Sequence, residues 1–140
     1  MTGPDATGVL TALLHAWQRA FNAYHPTEIV LLFSQDALFQ GISPRLRRGR
    51  EEIFEYYDRI AHGTTAEAKL LSAALLGQAI LHGFAEVTFT APTDDIHRIR
   101  LSIVAEQAEE AWLIHQYHAA THHDSGSSPP GDTGSPAKVQ

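Results

Sequence analysis

The sequence predicts an α+β domain in which helices gather on one face of an antiparallel sheet. Three observations carry that expectation. Leu10, Leu13, Leu14, Trp17, Phe21 and Tyr24 recur at the spacing of one helix face. Beyond Gly63 the pattern changes to four extended runs separated by short breaks at Gly77-Gln78, Pro92–Asp95 and Gln107–Glu110. Links that short join antiparallel neighbours, because a parallel crossover needs a dozen residues or more. Finally, 140 residues and 15.4 kDa suffice for one core and not for two.

In chain order, a first helix is expected from about Thr7, its N-cap, to Tyr24. His25-Pro26 stops it, since the residue before proline avoids the α region. Pro26 then opens a short second helix to about Phe33. Asp36–Gly41 reads as a short strand, followed by a loop carrying Arg45, Arg47, Arg48 and Arg50. Gly49–Ala61 reads as a third helix with acids in its first turn and an inward face of Ile53, Tyr56, Tyr57 and Ile60. Strands follow over Ala66–Gln78, Ala79–Ala91, Ile96–Gln107 and Ala111–Thr121. Residues 1–123 thus form the domain. From Asp124 to Gln140, ten of seventeen residues are Ser, Gly or Pro, a composition that buries too little apolar surface to order itself, and a disordered tail is expected.

Composition narrows the function classes. The formal net charge of −6 argues against nucleic-acid binding. No apolar run is long enough for a membrane helix, and Met1–Gly8 has neither the basic nor the apolar region of a secretory leader. The absence of cysteine excludes disulfides and thiolate metal sites and fits a cytoplasmic protein.

The richest stretch is Ala111-Trp-Leu-Ile-His-Gln-Tyr-His-Ala-Ala120. In a regular strand Trp112, Ile114, Gln116 and His118 share one face, and Leu113, His115, Tyr117 and Ala119 the other. A Trp beside Gln116 and His118 predicts the wall of a pocket. His115 and His118 then fall on opposite faces and His122-His123 borders the tail. With no acidic partners in view, no metal site and no cofactor are predicted.

Several of these residues carry a family resemblance. Phe33-x-x-Asp-Ala-x-Phe39, Gly49-Arg-x-x-Ile53 with Tyr56-Tyr57, and Trp112-x-Ile114 with His118 resemble the nuclear-transport-factor-two-like (SnoaL-like) superfamily. Phe39-Gln-Gly-x-x-Pro44, Arg100-x-Ser102-x-Val104 and Trp112-Leu-Ile are similar to its SgcJ/EcaC-type group, met in natural-product gene clusters. A more distant resemblance is to the association domain of calcium/calmodulin-dependent kinase. The likeness spans about Leu10 to Ala120. It implies a strongly curved, cone-shaped antiparallel sheet packed on a long N-terminal helix and two shorter ones, with a pocket inside the cone and a homodimer through the outer sheet face.

The implied function is that of a hydrophobic-pocket protein in polyketide-like specialised metabolism, with cyclase or isomerase-type proton transfer as its chemistry. The alternative is a non-catalytic binding or oligomerisation module of the kinase-association type. The ketosteroid-isomerase pattern fails to match: Gly41 stands where the base carboxylate belongs, Trp17 where a Tyr belongs, and Ile99–Ala105 supplies no acid. In the strand pattern Trp-x-Ile-x-x-His-His-Ser-Ser, the chain keeps the second His as His118 but has Tyr117, Ala119 and Ala120 at the others. His118 is the candidate acid–base group, since imidazole titrates near neutral pH. Arg100, mid-strand, is its candidate partner for an anion, or pairs with Glu86. Pairing about the Gln107–Glu110 turn predicts Trp112 opposite Glu106 and His118 opposite Arg100. Trp17, Tyr24, Gln40, Tyr57, Trp112 and Gln116 are the candidate ligand-binding residues. The expected ligand is a hydrophobic or anionic small molecule, and Arg45–Arg50 is a solvated loop or a dock for an anionic carrier protein. Asp36 is read as a structural cap or turn residue.

Overall fold

The computed structural model describes residues 4–121, and the expected tail from Asp124 onward lies outside the described residues. Three helices, α1 (Ala6–Asn22), α2 (Pro26–Val30) and α3 (Gly49–Asp58), alternate with and precede six strands. The strands are β1 (Phe33–Gln40), β2 (Arg47–Arg48), β3 (Thr65–Leu75), β4 (Ile80–Thr90), β5 (Ile96–Ala108) and β6 (Ala111–Thr121). They form one sheet in the order β2-β1-β6-β5-β4-β3, antiparallel except where β1 runs parallel to β6. The sheet is curved and does not close. The α+β class and the four-strand meander are as the sequence predicts.

Three local expectations change. The second helix ends at Val30, and Phe33 already opens β1. The first helix is capped by Asp5 rather than Thr7, without a side-chain bond. Within the arginine loop, Arg47 and Arg48 pair with Phe39 and Leu38 as a short extra strand.

The core lies between α1 and the concave face. Leu10, Leu13, Leu14, Trp17, Ala20 and Phe21 form the buried stripe of α1, facing Leu81, Ala85, Val87, Ile99, Leu101, Ile103 and Ala105. Gly83 lets α1 pack close to the sheet, since a Cβ there would collide with the Leu10 side chain and with the Ser72 carbonyl of β3. The edge strand β3 is covered by α1 as well. Asn22 accepts from the Ala66 amide (2.7 Å) and donates to its carbonyl (3.0 Å), and Gln18 accepts from the Ala68 amide (2.7 Å). These amides satisfy the first part of a strand edge that would otherwise invite another chain.

Candidate functional site

Inside the cone, where the resemblance implies a pocket, aromatic side chains meet in tilted, edge-to-face and stacked pairs. Trp17 lies 5.2 Å from Phe21 and 6.5 Å from Tyr57 between ring centroids, and Phe39 stacks on Tyr117 at 4.4 Å. Phe89 closes the cluster against Phe21 at 5.4 Å. The polar tips are spent on each other: Trp17 Nε1–H donates to Tyr57 Oη at 2.9 Å, and the Tyr57 and Tyr117 hydroxyls share a hydrogen bond. Burial raises the pKa of both phenols, and that of Tyr56 to a lesser degree. Trp17 and Tyr57 are thus core residues, 1 % and 5 % exposed.

The cavity beside them measures about 60 Å³ and is bordered by Phe21, Tyr24, Tyr57, Asp58, Ile60 and His62. That is well below the roughly 300 Å³ of a small-molecule pocket. Tyr24, at φ +60°, stacks on His62 (4.9 Å) and accepts from the Gly63 amide (2.8 Å), fastening the loop over this end.

The remaining predicted residues sit elsewhere, and for Gln116 and His118 a backbone irregularity explains why. At the hairpin end Gln107 pairs with Trp112 and Ala105 with Ile114, but the next pair is Val104 with Gln116. His115 is the extra residue, a β-bulge. Trp112 and Ile114 therefore face the core with Tyr117 and Ala119, while Gln116, His118 and Ala120 face outward. The regular alternation expected for this strand is corrected accordingly. The expected pairing is corrected too: Trp112 lies opposite Gln107 rather than Glu106, His118 opposite Ser102, and Arg100 opposite Ala120 and Glu86. Gln40 pairs with His118 from β1, so Gln40, Arg100, Gln116 and His118 all belong to the convex side. Trp112 borders a separate open groove of about 440 Å³ with Val9, Ala12 and Leu13 of α1.

The bulge also builds something the sequence reading missed. His115 Nδ1 lies 3.2 Å from Glu106 Oε2 of β5, 3.9 Å from Asp36 Oδ1 of β1 and 3.1 Å from Ser34 Oγ. The β1–β6 ladder slips at the same level, between Phe33 and Leu38. Asp36 is thereby drawn toward His115, and the acidic partners absent from the local sequence arrive from two other strands.

The arginine loop is less free than expected. Arg47 is 6 % exposed, lies over the Tyr56 ring at 5.4 Å and donates to the Glu52 carbonyl at 3.3 Å, while its buried Nε has no partner. Arg50 Nε–H donates to the Phe33 carbonyl at 2.9 Å. Two of the four guanidinium groups thus serve the fold.

No family model matches the chain, and no curated protein matches it. Solved structures do. A cystatin-like domain of unknown function from Nostoc punctiforme superposes with a TM-score of 0.78 at 15 % identity, covering 99 % of this chain and 94 % of that one. A candidate calcium/calmodulin-dependent protein kinase II association domain from Xanthomonas campestris gives 0.70 at 19 %, covering 89 % and 99 %. A ketosteroid isomerase-like protein from Erwinia carotovora atroseptica gives 0.72 at 14 %, covering 84 % and 96 %. These likenesses establish the nuclear-transport-factor-two-like, cystatin-like fold. The same fold carries proteins named for isomerases, for an association domain and for no function at all, so function rests on the surfaces described above.

Proposed function

We propose that this chain, built on the nuclear-transport-factor-two-like fold, is a non-catalytic self-association module that pairs through the convex face of its sheet. The observation that carries this reading is the filled cone. Where a ligand would sit, Trp17, Phe21, Phe39, Tyr57 and Tyr117 are all at most 5 % exposed. The turnover of a polyketide-like intermediate needs a hole of several hundred Å³ in that place. The convex face instead leaves large apolar side chains in solvent, Ile80 at 43 %, Phe84 at 49 % and Ile96 at 57 %. It interleaves Lys69, Arg98 and Arg100 with Glu67, Glu86 and Glu106. A face bearing both signs around apolar centres suits pairing with a second copy of itself across a two-fold axis. Arg100 and His118 then act as interface groups. The likeness to a candidate association domain supports the same reading.

The cysteine-free chain offers a direct test, because one thiol can be introduced on each side. Ala120→Cys places it on the convex face and Ala12→Cys on the exposed side of α1. Maleimide labelling at position 120 is expected to slow at least tenfold as protein concentration rises from nanomolar to tens of micromolar, with position 12 unaffected. Equal, concentration-independent rates at both positions would count against the proposal.

A further inference from the structure

We infer that Asp36, Glu106 and His115 form a binding site for a divalent transition-metal cation of the zinc class, where β1, β5 and β6 meet. This inference shares Glu106 with the convex face of the self-association reading, and its test reads metal binding alone. The donors are one imidazole nitrogen and two carboxylates, all within 4.8 Å of one another. Metal–ligand bonds of about 2.0–2.1 Å in tetrahedral geometry separate neighbouring donors by roughly 3.3 Å. The Nδ1–Oε2 separation to Glu106 is 3.2 Å and the Nδ1–Oδ1 separation to Asp36 is 3.9 Å. The separation to Glu106 already matches the spacing that a shared cation would impose, and the longer gap runs to Asp36, whose side chain is 74 % exposed.

Charge argues the same way. Two carboxylates drawn to one imidazole carry two negative charges when the ring is neutral, and a dication compensates both. Mixed imidazole and carboxylate donors suit zinc, iron or cobalt better than magnesium or calcium, which take oxygen alone. The backbone is shaped for the convergence. Without the bulge at His115 and the slip in β1, these side chains would project from regular ladders at different levels. Ser34, 4 % exposed, lies against the same nitrogen, with Oγ 3.1 Å from Nδ1, a contact the cation would take over. Three protein ligands leave a coordination position for water or an incoming group.

The test uses the full chain and ZnCl2 alone. Calorimetric titration in a non-chelating buffer is expected to give one Zn²⁺ per chain. His115→Ala and Glu106→Gln are each expected to weaken binding at least tenfold, and His15→Ala on α1 to leave it unchanged. Cobalt gives a second readout: four-coordinate Co²⁺ absorbs in the visible, and those bands are expected in the unmodified chain and lost in His115→Ala. Circular dichroism of each variant checks that the fold persists, and Glu106→Gln, a change confined to a partly exposed side chain, remains decisive if His115→Ala misfolds. Absence of micromolar zinc binding, or binding that survives His115→Ala and Glu106→Gln undiminished, would overturn the site.

Discussion

At the scale of single residues, the buried relay Trp17–Tyr57–Tyr117 makes the clearest demand. Tyr57→Phe removes the acceptor of a buried indole N–H and a hydroxyl partner of Tyr117. It is expected to cost about 1–3 kcal/mol in chemical denaturation. The same phenols set the response to alkali. Their folded pKa values are raised by burial above the ordinary 10.0, so the unfolded chain loses these protons first. Their contribution is complete well below pH 10 and declines as pH climbs beyond it, with a limiting slope of about 1.4 kcal/mol per pH unit for each tyrosine. Denaturation midpoints at pH 9 and pH 11 measure the decline, and Tyr57→Phe is expected to show a shallower one. The inward placement of Trp17 and Tyr57 was legible from helical spacing alone. That their rings fill the cone was not, because filling is decided by neighbours far apart in sequence, such as Phe39 against Tyr117.

At the scale of elements, the sequence carried the helices and the meander because periodicity is a local signal. Register is not local, and β6 shows what that costs a reading. Regular alternation placed Trp112 with His118, yet a single extra residue at His115 turns the strand between them. No side chain in Ile114-His-Gln116 announces a bulge. Asp36 and Glu106 are 70 or so positions apart, so their meeting at His115 was equally out of reach. The bulge itself yields a prediction. Deleting His115 restores an unbroken ladder, with Ala105 opposite Ile114 and Val104 opposite Gln116, and every inward side chain stays inward. Deleting Ser102, in the regular part of β5, forces half of Ile99, Leu101, Ile103 and Ala105 to the outer face. The His115 deletion is expected to melt cooperatively at a cost of about 1–2 kcal/mol, while the Ser102 deletion is expected to abolish the cooperative transition. Thermal melts followed by circular dichroism distinguish them.

At the scale of the whole molecule, the same fold supports two designs: a cone emptied to receive a ligand, or a cone filled so that the outer face becomes the working surface. On the reading proposed above, the aromatic interior and the exposed Phe84 assign this chain to the second. A stable pairing of that kind buries about 800 Å² per partner, and Phe84, opposite Ser102 and Ser72 on its neighbouring strands, projects from the middle of the face. Phe84→Glu puts a charge there without touching the core, so the monomer should fold as before. Light scattering at tens of micromolar is the most direct measurement. The expected mass is twice the 15.4 kDa of one chain for the unmodified protein and a single 15.4 kDa chain for Phe84→Glu, with identical circular dichroism. An unmodified protein that scatters as one chain, or a Phe84→Glu protein that still scatters as two, would contradict pairing through the convex face.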